Sequence, residues 1–585
     1  MRFLGVLLLI LGLIACETKK EDEKPKFPTQ FELSNGKETA TYLQVVDFYI
    51  QLAKQFPEIN IQTIGKTDSG YPLHMVTYNP EATFNFQKIA DHKTILLINN
   101  GIHPGESDGI DATMLLYRDL VIGKINPPSN TVLVTIPVYN IGGALNRNRS
   151  TRANQNGPES YGFRGNTLNY DLNRDFIKAD TKNSRTFTEI FHLVRPNVFI
   201  DTHVSNGADY QYTLSHLFTQ HNKLGGELGA YLDQEMLPAL EKSLKLENWD
   251  ITPYVNVFNK PPEKGFSQFM DHPRYSTGYT ALWNTLGLMI ETHMLKPYAQ
   301  RVAGTHEFLK AMLKITDKDS ERIKRLGEKA RTRHQNWNYY PIKWALDTTK
   351  TTIREFKGYK ADTLLSEVTG FNRLSYDKEK PFTEKMEYRN HYKPIDSVKI
   401  PEAYILKKGW TSVIELLDLN KINYETLQRD STLTVESYKI KEYKTLDFAY
   451  EGHYLHYDTK ISKDMVNLLF SEGDLVIPID QEGIRYLLET LEPCTVDSFF
   501  NWNFFDSILQ RKEGFSPYIF ENIAAEMLEN DDQLRDDFNT KKKNDLEFAD
   551  DWYAQLDWLY QKSKFYEPSH MQYPVYRIAS GKDVP

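Results

Sequence analysis

The sequence predicts an α/β fold, in which a mixed, largely buried β-sheet is flanked by helices and followed by one or two α+β accessory modules. Four β-rich runs are almost continuously hydrophobic, which is typical of strands buried on both faces of a sheet. These runs are "KTILLINNGI" (93–102), "TVLVTIPVYN" (131–140), "PNVFIDTHV" (196–204) and "LGLMIETHM" (286–294). Between them, "DGIDATMLLYRDLV" (108–121) and "NSRTFTEIFHLV" (183–194) have the spacing of amphipathic helices, and this alternation indicates a layered α/β domain.

The length of the chain indicates more than one domain, because 585 residues exceed what a single core usually supports. The α/β pattern extends over residues 31–319. The segment 320–347 begins with a basic helical stretch and is interpreted as a linker. Within residues 348–585, "LTVESYKIKEY" (433–443) alternates like a half-exposed strand, and "TSVIELLDLNKI" (411–422) predicts a helix. This last part is interpreted as the accessory α+β region.

The N-terminal segment has the features of an export signal. "MRFLGVLLLILGLIAC" contains a basic residue, Arg2, and an apolar run that is too short to span a bilayer comfortably. It ends in "LIAC", which resembles a bacterial lipoprotein box and implies cleavage before Cys16 and lipidation of its thiol. Residues 1–15 are therefore predicted to be a lipoprotein signal peptide, and the charged residues 16–30 a solvated tether. The alternative is an ordinary secretory signal followed by a chance cysteine.

Composition narrows the possible partners and the location. A net charge of −9 argues against a general nucleic-acid partner, because phosphate binding requires concentrated Lys and Arg. The chain has 2 cysteines, and with Cys16 lipidated, Cys494 has no partner for an intramolecular disulfide and is interpreted as a small buried hydrophobic residue. We expect an exported bacterial lipoprotein of the cell envelope, held by its lipid at the periplasmic face of the outer membrane or at the cell surface. Its oligomeric state is left open.

A possible metal site begins at "HPGE", directly after the first buried run. His103 and Glu106 lie in a Pro-Gly turn, at the place where ligand sites form in open α/β sheets. Catalytic zinc sites take three nitrogen or oxygen ligands from the protein and leave a fourth position for water. A histidine and a glutamate three residues apart are a weak signal by themselves, since an ordinary polar turn would give the same pattern.

Two further buried runs end in polar residues. His203 follows the run in "VFIDTHV", which favours a third metal ligand over a core histidine bonded to the backbone, and Asp201 could orient a ligand from behind. Glu291 interrupts "LGLMIETHM". Burying a carboxylate is costly unless it is paired or faces a polar cleft, and a catalytic base beside a metal-activated water meets that condition. His293 is the competing candidate, although a packing role is favoured for it.

The stretch "NRNRSTRANQNGPESYGFRGNTLNYDLNRDF" (146–176) is rich in Arg and Asn and poor in apolar residues. A solvated charged loop would have this composition. A functional interpretation is also open, in which the stretch lines a site that grips a carboxylate and polarises a carbonyl. The fork geometry of guanidinium suits both tasks.

Taken in order, "HPGE", "NRNRSTR", "DLNRDF", "DTH" and "MIET" resemble the motifs of the zinc carboxypeptidase family, of the carboxypeptidase A/B type. The resemblance extends over roughly residues 31–319, about half of the chain. It implies the fold of that family and one bound Zn²⁺ per chain. The implied zinc ligands are His103, Glu106 and His203, and Glu291 is implied to be the general base and proton shuttle.

The resemblance also implies how the substrate is held. Asn173 and Arg174 of "DLNRDF" would bind the terminal carboxylate, and Arg152, which closes "NRSTR", would stabilise the oxyanion, with Arg149 as the second candidate. The family carries a tyrosine on a mobile loop before the catalytic glutamate. Here the candidates are Tyr275 and Tyr279, both closer to the glutamate than the family pattern, so either one caps the substrate or the role is lost. The loops that shape the side-chain pocket also differ, and pocket specificity is not carried over.

These features together lead us to expect a zinc-dependent metallocarboxypeptidase that hydrolyses the C-terminal bond of peptides or proteins at the cell envelope. Three alternatives stay open. The first is a zinc amidase or deacylase acting on cell-wall peptides or N-acyl amino acids, which the same carboxylate-binding residues would serve. The second is a non-catalytic envelope protein that uses a carboxypeptidase-like domain for binding. The third places the main function in residues 348–585, as the site of binding to a partner or glycan.

Overall fold

Eight strands form the central sheet of the computed structural model, which describes residues 27–579. The predicted signal peptide and Cys16 lie outside the described residues. The strands of this sheet are β1 Ile59–Lys66, β2 Pro72–Tyr78, β3 Thr94–Asn99, β4 Thr131–Ile136, β5 Val198–Ser205, β6 Leu214–Phe218 and β7 Ile251–Pro253, together with β9 Leu286–His293; a short β8, Phe266–Ser267, belongs to another sheet. Their order is β1-β2-β4-β3-β5-β9-β6-β7.

The pairing of the central strands brings the carboxyl ends of β3, β4, β5 and β9 to one edge of the sheet. β3 pairs in parallel with β4 and β5, and β5 pairs in parallel with β9, whereas β1 runs antiparallel to β2, β2 to β4 and β6 to β9. Every residue of β3, β4, β5 and β9 is buried, because helices cover both faces of the sheet. The four hydrophobic runs are therefore confirmed as strands, and the predicted fold class is confirmed.

Twelve α-helices accompany this sheet within the described part of the chain. Two of them correspond to the stretches predicted as helices at 108–121 and 183–194. The helices are α1 Gln30–Leu33, α2 Tyr42–Gln55, α3 Phe86–His92, α4 Asp108–Val121, α5 Ile141–Leu145, α6 Lys182–Val194, α7 His221–Leu224, α8 Gly226–Tyr231, α9 Leu237–Leu246, α10 Ser276–Leu282, α11 Tyr298–Lys318 and α12 Ser320–Thr332. A 3-10 turn at Leu172–Arg174 and a π-helical turn at Leu232–Met236 complete this half.

The C-terminal half contains three smaller sheets. β10 pairs with β13, the long hairpin β11–β12 pairs with β8, and six strands form the order β15-β18-β14-β19-β16-β17. The strands are β10 Tyr339–Leu346, β11 Thr352–Leu365, β12 Asn372–Arg389, β13 Tyr392–Lys399, β14 Ala403–Leu406, β15 Glu425–Thr426, β16 Ser431–Thr445, β17 His456–Phe470, β18 Leu475–Pro478 and β19 Val575–Ile578. The helices are α13 Thr411–Leu419, α14 Ile484–Leu491, α15 Pro517–Asn530, α16 Asp532–Asn544, α17 Leu546–Asp550 and α18 Trp552–Tyr560. The predicted accessory α+β character is thus confirmed.

The two halves share one hydrophobic core. Leu97 and Ile200 of the central sheet belong to the same buried cluster as Tyr404 of β14 and Leu487 of α14. The segment predicted as a linker, 320–347, folds as α12 and β10, and Ile323 of α12 is part of that cluster. The domain boundaries stay a prediction, but the hydrophobic contact between the halves is extensive. Within residues 27–579, no helix is both long and apolar enough to cross a membrane.

Candidate metal centre and active-site pocket

His103, Glu106 and His203 meet at the edge of the sheet where β3 and β5 end. One donor atom from each lies within 4.8 Å of the others. The turn that joins the first two is tight, with the Glu106 backbone N–H donating to the His103 carbonyl at 2.8 Å. It depends on Gly105, because a Cβ there would lie 2.6 Å from Cδ of Arg152 and 2.9 Å from the Gly162 carbonyl oxygen. We call these three residues the metal corner.

Both imidazoles of the metal corner present the same nitrogen to the shared carboxylate. The Nδ1 atoms of His103 and His203 lie 3.3 Å and 3.0 Å from Oε2 of Glu106. Their Nε2 atoms are held from behind, by Asp171 at 2.9 Å and by Asp201 at 2.9 Å. A carboxylate on Nε2 fixes the proton there and leaves the Nδ1 lone pair free to bind a metal, which is the usual arrangement around metal-binding histidines.

The electrostatics of the metal corner show how strongly charge is concentrated there. Burial alone would raise the pKa of Glu106, but the adjacent His103 and Arg152 outweigh it and hold that pKa well below its usual value. Burial would likewise lower the pKa of His203, and the carboxylates of Asp201 and Glu106 raise it well above the ordinary value instead. One oxygen of Asp201, Oδ1, is buried without a hydrogen bond among the described residues.

The donor set fits a divalent transition-metal ion. Two imidazole nitrogens and one carboxylate are the protein ligands of several catalytic zinc sites. The three side chains also line a cavity of about 350 Å³, which leaves space beside the ion for water and substrate. The cluster therefore has the composition of a catalytic metal site, in which one position stays open, rather than of a closed structural one.

Glu291 lies beside the metal corner and faces the same cavity. It is the register partner of His203 across β5 and β9, and 9% of its surface is exposed. Among residues 27–579, no side chain is hydrogen-bonded to its carboxylate. Burial raises its pKa to about 8, against the opposing effect of His203 and with a further contribution from Glu106. A raised pKa makes this carboxylate a stronger proton acceptor than an exposed one, which suits a general base.

The rest of the cavity combines cationic, aromatic and apolar side chains. The residues that line it, besides the metal corner and Glu291, are Arg152, Arg164, Asn173, Arg174, Val204, Ser205, Asn206, Leu217, Tyr254, Phe269, Tyr275, Met289 and Met294. Three guanidinium groups thus surround one pocket. Arg152 donates to Oε1 of Glu106 at 2.8 Å, so its charge lies next to the metal corner.

Asn173 and Arg174, the pair predicted to bind a substrate carboxylate and called the carboxylate clamp from this point on, lie in the 3-10 turn 172–174. The Asn173 side-chain oxygen accepts from the Ser276 backbone N–H at 3.1 Å. The guanidinium of Arg174 stacks over the Tyr275 ring at 4.8 Å, and its Nη1 donates to the Asn173 carbonyl at 2.8 Å. Both side chains therefore have fixed orientations before any ligand binds, as expected of a preorganised anion-binding pair.

Two residues predicted to belong to the site, Tyr279 and Arg149, lie away from the cavity. Tyr279 is fully buried in α10, does not line the cavity, and donates its hydroxyl to Asn420 at 2.7 Å; it therefore does not cap a substrate. Arg149 is exposed and is not among the residues that line the cavity. His293 is packed, as favoured from sequence, with Nε2 donating to the Ala208 carbonyl at 3.0 Å. Tyr275 does line the cavity, and its capping role stays a prediction.

The sequence interpretation missed three polar residues around the pocket. Asp171, the first residue of "DLNRDF", was identified only as part of a motif. A carboxylate two positions before Asn173 could have indicated a group that orients a metal-binding histidine, as Asp171 does for His103. Arg164 pairs with Asp171 at 2.8 Å and lies 3.6 Å from Glu106. Tyr254 follows β7 and donates its hydroxyl to Asn206 at 2.8 Å; it is remote in sequence from every motif, so nothing local indicated it.

No protein-family model matches the chain, and no curated protein matches its sequence. The chain is similar to solved metallo-carboxypeptidases. One from Burkholderia cenocepacia is 15% identical over 48% of this chain and 70% of its own, with a TM-score of 0.36. Carboxypeptidase A from Helicoverpa armigera is 15% identical over 48% and 74%, with a TM-score of 0.36.

A further similar structure is a metallo-carboxypeptidase from Pseudomonas aeruginosa in complex with (2-guanidinoethylmercapto)succinic acid. It is 12% identical over 48% of this chain and 69% of its own, with a TM-score of 0.35. At 12–15% identity the likeness concerns the fold alone.

Proposed function

We propose that this protein is a zinc-dependent metallocarboxypeptidase that hydrolyses the C-terminal peptide bond of peptides or proteins. The observation that carries the proposal is the convergence of a metal corner, an unpaired buried carboxylate and a carboxylate clamp in one cavity of about 350 Å³. The metal corner would activate the water, Glu291 would transfer the proton, and the clamp would bind the terminal carboxylate. Together they leave room for one terminal residue and its scissile bond.

His103, Glu106 and His203 would hold one Zn²⁺. Nitrogen and carboxylate ligands of this kind suit zinc. The bound ion would supply Lewis-acid activation of water and of the substrate carbonyl. Asp171 and Asp201 keep the two imidazoles in the tautomer that ligation requires, through hydrogen bonds of 2.9 Å to each Nε2.

Glu291 is the proposed general base and later the general acid. It takes a proton from the attacking water and then delivers that proton to the leaving amine. Its location suits both steps. It faces the cavity next to His203, and among the described residues no other side chain is hydrogen-bonded to its carboxylate oxygens. Arg152 donates to Oε1 of Glu106, while both imidazoles contact Oε2, and Arg152 would donate to the oxygen that becomes negative as the carbonyl is attacked.

Asn173 and Arg174 would bind the free carboxylate of the substrate, Arg174 by the paired donors of its guanidinium. A clamp at a fixed distance from the metal corner selects the last peptide bond, which makes the enzyme an exopeptidase. Leu217, Phe269 and Met289 also line the cavity. An uncharged, apolar terminal side chain therefore fits the proposal best.

The location proposed for the enzyme is the cell envelope, with Cys16 as the lipidated anchor. Support comes from the sequence "LIAC" and the apolar segment before it. Mass spectrometry of the protein purified from membranes would test this part separately. A mature N-terminus at Cys16 that carries acyl chains is the expected result, and an unmodified cysteine would contradict it.

The central experiment measures zinc content and the release of amino acids from matched peptide substrates. We expect about one zinc per chain and chelator-sensitive cleavage of peptides with a free C-terminus. The same peptides with a C-terminal amide should be cleaved far more slowly, because the clamp has no anion to bind. Faster cleavage of muropeptides or N-acyl amino acids would instead favour an amidase or deacylase. A metal-loaded protein that binds free-acid peptides without cleaving any substrate would favour the non-catalytic alternative.

A further inference from the structure

The predicted clamp depends on contacts from the C-terminal half, whose sequence contains no catalytic motif. Two segments of that half reach the loops that carry the clamp. One is the turn Tyr450–His453, closed by a hydrogen bond of 2.7 Å from the Tyr450 N–H to the His453 carbonyl. The other carries Asp497 and Trp502, both fully buried. Neither segment lines the cavity.

Asp497 holds the chain immediately before Tyr275. Its carboxylate accepts from the backbone N–H and from Nε of Arg274, both at 2.8 Å, and from the indole N–H of Trp502 at 3.1 Å. The Arg274 guanidinium also lies over the Trp502 ring at 5.0 Å. A buried carboxylate bonded to both backbone and side chain of one residue fixes that residue in position.

The fixed position of Arg274 is transmitted to the clamp through its next two neighbours. Tyr275 provides the ring on which the Arg174 guanidinium stacks at 4.8 Å. Ser276 donates its backbone N–H to Asn173 at 3.1 Å and its hydroxyl to Asp201 at 2.5 Å. Both clamp residues are thus held by the segment 274–276, and that segment is held by Asp497.

Glu451 acts on the other end of the clamp turn. Its Oε2 accepts from the backbone N–H of Asp171 at 2.8 Å, across 280 residues of sequence. Gly452 follows with a φ of +80, and a Cβ there would lie 2.4 Å from the Tyr170 hydroxyl, so the close approach of the two loops requires a glycine at this position. His453 adds a contact to Asp180 at 2.8 Å.

We propose that Glu451 and Asp497 are positioning residues of the active site, so that the C-terminal half completes the carboxylate clamp built by the N-terminal half. This inference rests on the proposed carboxypeptidase function. It predicts that these residues affect recognition of the terminal carboxylate, although neither touches the substrate. Ordinary packing between the halves would affect only stability.

The test uses the full-length protein carrying Glu291→Gln, which separates binding from turnover. Calorimetry measures the affinity for an acetylated peptide with a free C-terminus and for its amide. The variants are D497N, E451A and E451Q. The matched control is E482A. Glu482 also pairs across the halves, with Arg195 at 2.8 Å, but neither residue lines the active-site cavity.

We expect the unaltered background and E482A to bind the free acid more tightly than the amide. In D497N and E451A that preference should fall by roughly ten-fold, the order of loss seen when supporting contacts are removed. E451Q should keep most of it, because glutamine retains an acceptor for the Asp171 N–H. Melting temperatures identify any variant that fails to fold. If either D497N or E451A does not fold, the binding preference of the other one tests the inference.

Unchanged preference in D497N and E451A, equal to that of E482A, would overturn the inference while leaving the proposed function intact. A background protein that binds acid and amide equally would overturn the proposed function and the inference with it. Equal loss in E451A and E451Q, together with equal loss of melting temperature, would also contradict positioning, because it would show a merely structural role.

Discussion

The metal corner and the carboxylate clamp share one cavity but differ in how they are supported. The side chains of the metal corner are held by residues of the N-terminal half, such as Asp201, which lies two positions from His203. The clamp is held by segment 274–276, which is fixed in turn by Asp497 of the C-terminal half. A metal site can therefore be assembled from neighbouring strand ends, whereas the orientation of the clamp requires the whole chain.

The largest expected effect is on the metal corner itself. His103→Ala removes one of three ligands, and we expect the purified protein to lose its zinc and all measurable peptidase activity. Metal analysis after dialysis is the measurement. His306→Ala is the control, since that half-buried histidine pairs with Asp119 at 3.6 Å away from the cavity. A full complement of zinc in the His103 variant would exclude that residue as a ligand.

Glu291→Gln separates metal binding from proton transfer. The substitution keeps the size of the side chain but removes its basicity, so zinc should stay bound while kcat falls by about 10³-fold. Zinc content and kcat are measured on the same preparation. Near-normal turnover would contradict the assignment of this residue as the base and would reopen the choice of base within the pocket.

Arg174→Lys tests the clamp without touching the metal corner. Lysine keeps the charge but loses the paired donors and the stacking on Tyr275, so KM for free-acid peptides should rise by roughly ten-fold or more. Zinc content and the slow cleavage of amides should not change. Arg149→Lys is the matched control, because that arginine is exposed and outside the cavity. Equal effects of the two substitutions would argue against a clamp at Arg174.

A pH effect on stability is expected away from the pocket. Burial lowers the pKa of His192 to about 4, against the effect of its Asn420 contact. Since the folded pKa lies below the ordinary value of about 6.5, the folded state keeps this imidazole neutral and unfolding takes up a proton between these two pH values. Stability should be complete above pH 6.5 and fall as the pH approaches 4. Between pH 6.5 and pH 4 the melting temperature of His192→Gln should fall less than that of the unaltered protein. An identical decline in the two proteins would exclude His192 as a source of the pH dependence.

The smallest effect is expected for Tyr279→Phe. The Tyr279 hydroxyl donates to Asn420 at 2.7 Å and does not face the cavity. Its loss should cost about 1 kcal/mol in the free energy of unfolding, because a buried acceptor loses its partner, while kcat and KM stay unchanged. Denaturant unfolding and steady-state kinetics check both parts. A kinetic defect without a stability change would restore this tyrosine as a candidate cap.

Much of the N-terminal half could be predicted because its signals are local. The runs that became β3, β4, β5 and β9 are hydrophobic along their whole length, and burial on both faces requires that composition. His103 and His203 were recognisable because each follows such a run. By contrast, α10 buries Tyr279 and leaves Tyr275 at the cavity, and this depends on how the helix packs, which spacing in the sequence does not reveal.

Local sequence was sufficient for the buried strands β3, β4, β5 and β9 and for helices α4 and α6, because hydrophobic periodicity acts over a few residues. The residues of the metal corner were indicated by their positions at strand ends together with the resemblance of the motifs to a known family. Only the tertiary structure decided that Arg149 lies outside the cavity, that Arg164 and Tyr254 line it, and that Glu451 reaches Asp171 across 280 residues. The physical reason is that these contacts depend on the packing of two halves into one core, where the partner of a polar group is chosen by proximity in space.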